Sequence, residues 1–256
     1  MANPVVDAAR QALGPAGVCL PVSFTSNPHA DVQRDAVGRL ERAGHRAVWT
    51  NEVIGKDALV QLALLLSATE RMAFGTCIAN VWARPAQTMH AAAAQLAQAY
   101  PGRFVLGLGV GYPEQAASVG REFGRPLATM REYVTEMDSP TYPPAPDVAF
   151  PRIVAANGPK MLALAGDIAD GALPAMLPAD FTAHARQTLG PDKLLVVGVS
   201  MVGDPIDSTA IVSQVCEQLT AGADHVTLLL PIGIEFASGI EQLERLAPAL
   251  AALPGY

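Results

Sequence analysis

The chain is poor in the residues that build disulfide, metal and nucleic-acid sites. Only three cysteines occur in 256 residues, Cys19, Cys77 and Cys216. Odd in number and widely separated, they show no disulfide framework and no zinc or redox spacing, and they fit a reduced compartment. Five histidines form no His-x-His pair or carboxylate–histidine cluster, so no metal centre is expected. Basic residues number seventeen and are scattered, leaving no electrostatic footprint for nucleic acid. The net charge of −7 reads as solubility. No apolar run reaches the roughly 20 residues of a membrane span, and the N-terminus lacks the cationic-then-apolar pattern of a secretory signal. The expectation is a cytoplasmic protein without membrane or nucleic-acid partners.

What is present is apolar material in quantity. Hydrophobic residues make up 50% of the chain and charged residues 16%, enough for a large covered core and too apolar for disorder. The length matches a (β/α)8 barrel, which runs to roughly 250 residues. Short apolar, β-rich runs recur, and each is followed by a helical pattern. Strands are expected over 17–24, 46–50, 72–79, 103–109, 152–156, 171–176, 194–201 and 225–231. The helices between them are expected over 30–43, 57–69, 85–100, 127–137, 159–169, 178–189, 206–221 and 235–252. The proline-rich stretch 139–151 reads as a loop, because the alternation resumes beyond it. Eight alternating units imply a parallel sheet that can close into a barrel, here a single domain over 1–256. An open doubly wound sheet would need a phosphate fingerprint after its first strand, and residues 17–28 carry none.

In such barrels the chemistry lies at the carboxyl ends of the strands. That rule selects Phe24 after strand one, Asn51 and Glu52 after strand two, and Cys77, Asn80, Trp82 and Arg84 at and after strand three. It adds Val110, Gly111 and Tyr112 after strand four, and Asn157 and Gly158 after strand five. His45 and His225 precede strands and belong to the opposite end. None of the three lysines, Lys56, Lys160 and Lys193, falls inside a strand, so a Schiff-base lysine is not expected. A top face with few ionisable groups and several glycines suits a protein that leaves the hard chemistry to a cofactor. Gly107-Leu108-Gly109-Val110-Gly111 would let backbone N–H groups approach an anion, or would serve tight packing. Asn157-Gly158-Pro159-Lys160 leads into a helix whose N-terminus favours a phosphate, or is an ordinary strand-to-helix turn.

Residues 74–113, with Gly-Thr-x-Ile, then Arg-Pro, an alanine-rich helix and Pro-Gly-Arg-Phe-x-Leu-Gly-Leu-Gly, resemble the signature region of the luciferase-like monooxygenase superfamily. Residues 151–172, ending in Ala-Gly-x-x-Ala-Asp-Gly, resemble the family's strand-five segment. Within the superfamily, Ile-Ala-Asn-x-Trp-Ala-Arg and Gly-Pro-Lys-Met-Leu-Ala-Leu-Ala are most similar to actinobacterial oxidoreductases that use the deazaflavin coenzyme F-420.

The resemblance implies a bacterial-luciferase-like barrel and hydride transfer between a deazaflavin and a small-molecule substrate, with FMN as the alternative cofactor. A monooxygenase, or a flavin-binding protein without turnover, is the competing activity. The ring would lie over the barrel mouth, against a non-prolyl cis peptide at Cys77–Ile78. The phosphate would rest on Gly109, Val110 and Gly111 and on Asn157, Gly158 and Pro159, with Lys160 and Arg84 near the acidic tail. Phe24, Trp82 and Tyr112 would wall the substrate pocket, and a homodimer would be the assembly. Cys77 itself reads as a small buried hydrophobe. In place of the family's histidine after strand two stands Asn51-Glu52-Val53, so Glu52, Asn51 and Asn80 would do the polar work, Glu52 as a proton donor or as a loop anchor. A further departure is the short connection 201–205 after strand seven, where relatives insert a longer segment.

Overall fold

In the computed structural model, which describes residues 3–201 and 207–256, all strand pairings are parallel. The strands are β1 (Ala16–Cys19), β2 (Ala47–Thr50), β3 (Ala73–Thr76), β4 (Ala79–Asn80), β5 (Phe104–Gly109), β6 (Arg152–Ala155), β7 (Gly171–Leu173), β8 (Leu194–Ser200) and β9 (His225–Leu229). Their order is β3-β2-β1-β9-β8-β7-β6-β5-β4, and an additional β3–β5 pairing closes the ring. Because β4 continues β3, these are the eight staves of a (β/α)8 barrel, as expected.

The helices are α1 (Pro4–Leu13), α2 (Ala30–Ala43), α3 (Ala58–Leu66), α4 (Ala86–Ala99), α5 (Pro113–Ala117), α6 (Pro126–Met137), α7 (Pro159–Ile168), α8 (Ala179–Leu189), α9 (Ser208–Thr220) and α10 (Phe236–Leu250). Their starts follow local chemistry. The Asp57 side chain accepts from Leu59 and Val60 N–H to cap α3, and Asp207 does the same for α9. Gly44 ends α2 in the left-handed conformation.

Two apolar clusters result. The larger lies between strands and helices; the smaller fills the barrel around Cys19, Ala47, Trp49, Ala73, Val105, Ile153, Leu173, Leu194 and Val196. Trp49 is the bulkiest of these and is fully buried. Gly75 on the neighbouring strand admits it, since a Cβ there would overlap the indole ring. The lower end is closed by α1, whose Val6, Ala9 and Leu13 join the inner cluster. That helix was absent from the expected elements.

Two expected strands were too long. The first stops at Cys19, not residue 24, and the sixth at Leu173, not residue 176. The expected start of α9 at 206 and most of the connection 201–205 lie outside the described residues.

His225 sits at the lower end, as its position before a strand implied. Its Nε2 is 2.9 Å from the Trp49 indole nitrogen, and its Nδ1 is 2.8 Å from the Gly14 carbonyl oxygen. An indole N–H only donates, so Nε2 accepts and the proton resides on Nδ1, which makes the ring neutral. Burial pushes its pKa down to about 4. The unfolded chain, titrating near 6.5, takes up this proton first. Stability from the neutral ring is therefore complete above about pH 6.5 and is lost as pH falls towards 4. Denaturant titrations at pH 7.5 and pH 5 should differ by about 2 kcal/mol more in the native chain than in His225→Gln. Equal pH dependence in the two chains would refute the assignment.

Candidate functional site

The upper end is organised where β3 gives way to β4. Gly75 faces Val105, whereas Ala79 faces Leu108, so β3 and β4 hold one residue more than β5 over this stretch. That is a bulge, and it turns Cys77 and Ile78 out of the ladder. The Cys77–Ile78 peptide is cis, at the position the resemblance implied. The neighbouring β2 grips the bulge: Cys77 N–H donates to the Thr50 carbonyl (2.7 Å) and Glu52 N–H to the Ile78 carbonyl (3.1 Å).

The Glu52 side chain is 3% exposed and both its oxygens are engaged. Oε1 accepts from Ala58 N–H (2.8 Å) and Oε2 from Asn80 N–H (2.7 Å). Arg84 donates to both oxygens and also pairs with Asp57 Oδ2 at 2.9 Å. Burial alone would weaken the hold of Arg84 on its proton, but Glu52 and Asp57 outweigh it and raise its pKa. Burial would likewise raise the Asp57 carboxyl, yet the Val60 N–H and Arg84 bring it below its ordinary value. Arg84, expected near an acidic cofactor tail, is thus spent within a buried ion pair, 8% exposed.

Beside this pair lies a cavity of about 470 Å³, lined in part by Glu52, Lys56, Asn80, Trp82, Arg84 and Gln115. Asn80 is 3% exposed; its Oδ1 accepts from Trp82 N–H at 2.8 Å, but its Nδ2 has no partner among the described residues. Gly111 lies against this amide with φ +56°, and a Cβ there would collide with both Asn80 Nδ2 and Gln115 Oε1. Trp82 donates from its indole to the Val110 carbonyl (2.8 Å) and packs on Phe123 with ring centroids 6.1 Å apart.

The barrel mouth is floored by half-buried Val22, Cys77, Ala175 and Leu229. Around it stand Phe24, Ile54, Tyr112, Met176 and Ile232, one from each of five strand-to-helix loops and all more than half exposed. Isolated exposed apolar residues are ordinary, but a ring of them about one opening marks a binding surface. Met176 holds φ +59°, the sole described non-glycine residue at positive φ. Asn157 fixes that loop, exchanging hydrogen bonds with the Ala175 backbone at 2.9 and 3.2 Å.

The two glycine turns divide into packing and cradle. Gly107 exchanges hydrogen bonds with the Thr76 hydroxyl, and a Cβ on Gly109 would overlap Ile78, so both serve close packing. The N–H groups of Val110 and Gly111 have no partner among the described residues. On the adjacent strand's exit, α7 begins at Gly158 and Pro159 without a side-chain cap, and Lys160 is exposed beside it. The β5–β6 pairing, Leu108 opposite Val154, sets these two exits side by side.

A family model described as luciferase-like monooxygenase matches residues 15–190. The chain belongs to this family. A Mycobacterium tuberculosis protein assigned as a coenzyme F420-dependent oxidoreductase is 32% identical over 174 residues, covering 55% of this chain and 50% of that one. The 5,10-methylenetetrahydromethanopterin reductase of Methanolobus tindarius is 30% identical over 167 residues, with 57% and 51% covered. The chain therefore spans about half the length of the curated relatives it matches. In fold it resembles an F420-dependent secondary alcohol dehydrogenase solved with an F420-acetone adduct (TM-score 0.73, 15% identity, 91% of this chain and 98% of that one). It also resembles monooxygenase RslO1 of Streptomyces bottropensis (TM-score 0.72, 14% identity, 92% and 98%).

Sequence reasoning missed several residues of this luciferase-like mouth. Ile54 and Ile232 complete the apolar collar, and Gln115 abuts Gly111. Lys56, set aside as a loop lysine, is half-buried and donates to Thr50 Oγ1 (3.0 Å) and Asn51 Oδ1 (2.9 Å). Burial draws its amino group below the ordinary value, against the pull of Cys19, Cys77 and Glu52. Cys77 is not the buried hydrophobe expected: it is half-buried, and its Sγ lies 3.3 Å from that of Cys19.

The frame depends on the buried ion pair. Arg84→Met should cost about 3 kcal/mol or more, because it leaves the Glu52 carboxylate buried without its countercharge. Asp57→Asn, at a side chain 45% exposed, should cost under about 1 kcal/mol. Denaturant titration of both variants checks the contrast, and a mild Arg84→Met would refute it.

Proposed function

We propose that this chain is an oxidoreductase that binds the deazaflavin coenzyme F-420 at the barrel mouth and serves hydride transfer to or from a small organic substrate. The observation that carries the reading is the set of unspent donors beside an apolar mouth: the Val110 and Gly111 N–H groups, the uncapped start of α7 and the buried Asn80 amide. Such donors fit a ligand with one anionic end and one flat apolar end. The similarity to relatives and neighbours named for F420 supports the choice of group.

When bound, the coenzyme would supply the hydride-carrying ring; the protein supplies place and polarity. Val110 and Gly111, with Asn157, Gly158 and Pro159, form the phosphate cradle, which Gly109 supports by packing on Ile78 and to which Lys160 adds positive charge. Cys77 and Ile78 lie at the floor. Phe24, Trp82 and Tyr112 wall the opening and exclude water from it. Asn80 offers its amide N–H toward the ligand. Asn51 holds the Lys56 ammonium at the mouth. Glu52 is a positioning residue in this scheme, since its carboxylate fixes Asn80 and Arg84 and has no oxygen left over for a proton donor's role.

The same donors suit FMN, so the two cofactors are titrated in parallel against the purified protein, followed by fluorescence. Deazaflavin binding at micromolar concentration or tighter, about −8 kcal/mol, is expected. Gly111→Ala should weaken it at least about tenfold, because the new Cβ displaces the Asn80 amide. Preference for FMN would move the reading to a flavin-dependent enzyme, and failure of both to bind would overturn it. Binding without turnover of any substrate would leave a flavin-binding protein.

A further inference from the structure

Two of the three cysteines, far apart in sequence, meet inside the barrel. Cys19 ends β1 and stands level with Trp49, which stands level with Gly75 on β3. Cys77 lies two residues beyond Gly75, past the strand's end, where the bulge turns it inward. The two sulfurs thus reach one another across β2, and one thiol donates to the other at 3.3 Å. A disulfide needs them at about 2.05 Å, an approach of little more than an ångström.

Their surroundings differ in a useful way. Cys19 is 2% exposed, whereas Cys77 is half-buried on the floor of the mouth. Above Cys77 the opening is lined by small and apolar groups, so a small solute reaches this sulfur first. The Lys56 ammonium, held by Thr50 and Asn51, acts on both sulfurs. The hydrogen bond from Cys77, and then Lys56, pull the Cys19 thiol down in spite of burial, while the same hydrogen bond and burial push the Cys77 thiol up, so the first charge rests on Cys19. The 3.3 Å contact lets the remaining proton pass from Cys77 to Cys19, which puts the charge on the more open sulfur when it attacks. A thiolate near a fixed cation, partly open to solvent and beside a second thiol, is the arrangement of a reactive rather than an inert cysteine.

We infer that Cys19, Cys77 and Lys56 form a hydroperoxide-reactive dithiol at the floor of the barrel mouth, with Cys77 the attacking and Cys19 the resolving sulfur. The pair first gives up one proton to solvent. The Cys77 sulfur attacks the peroxide, forming an S–O bond as the O–O bond breaks, and the departing oxygen takes a proton to leave as an alcohol, or as water from hydrogen peroxide. Cys19 then loses its proton and attacks the Cys77 sulfenic acid: the S–S bond forms, the S–O bond breaks, and hydroxide leaves as water. Two thiols lose two electrons, and one hydroperoxide gains them. An added dithiol reverses the change. None of this requires the cofactor proposed above.

The test uses the full chain carrying Cys216→Ser, which removes the exposed thiol on α9. With equimolar hydrogen peroxide, intact mass should fall by two hydrogens, the peptides holding Cys19 and Cys77 should be joined, and dithiothreitol should separate them. Adding Cys19→Ser should stop the reaction at one added oxygen on Cys77, trapped by dimedone. Adding Lys56→Met should slow oxidation about tenfold, because the thiolate loses the cation beside it. Oxygen added to Cys77 while Cys19 stays a free thiol in the parent chain would overturn the proposal. So would failure of both thiols to react, or equal rates with and without Lys56.

Discussion

The extra residue where β3 passes into β4 is the constraint on which the upper end of this barrel depends. A parallel stave without it would send Cys77 and Ile78 alternately inward and outward and would keep Asn80 one position out of phase. With it, the backbone of the bulge becomes available to β2, and Thr50 and Glu52 take up its N–H and carbonyl groups. The Glu52 carboxylate then reaches three separate segments at once: the start of α3 through Ala58, β4 through Asn80, and the loop before α4 through Arg84. One side chain thus ties together the exits of two adjacent staves.

Such a tie has an electrostatic cost that its geometry offsets. A carboxylate this deeply buried would be strongly unfavourable alone, since desolvation of an ion costs several kcal/mol. Two backbone N–H groups and a guanidinium satisfy it, and Asp57 shares the guanidinium from the more exposed side. The arrangement shows why a residue that looks like an acid–base catalyst from its position acts in the structure as a bracket.

Much of the fold was legible because each stave is buried on both faces and therefore reads as a short, continuous apolar run followed by a helical period. The same signal overran its limits where apolar residues continue past the regular ladder: beyond Cys19, Leu20 still bonds to β2, and beyond Leu173 an irregular bridge to β8 continues, while Val22, Phe24, Ala175 and Met176 turn to the mouth. The opening helix carried a signal that went unused, an Asn-Pro start followed by Val6, Ala9 and Leu13 on one face. For the site, the strand-end rule picked the right loops but could not rank the residues within them. Pairing partners such as Glu52 with Arg84, 32 residues apart, and Cys19 with Cys77, 58 apart, follow from barrel closure and leave no local trace.

The division of labour at the mouth follows from where charge has been placed. The acidic and basic groups nearest the opening are consumed by one another or by helix ends: Arg84 by Glu52 and Asp57, Asp57 by the start of α3, Lys56 by Thr50 and Asn51. What is left facing outward is a collar of large apolar side chains over a floor of small ones, flanked on the β5 and β6 side by unpaired N–H donors. An apolar surface gains by covering with something flat and uncharged, while the donors gain only from an anion. A ligand satisfying both must carry its negative charge at one end and keep the other neutral, which is the physical basis for expecting a phosphate-bearing tricycle here rather than a charged metabolite seated over the whole opening.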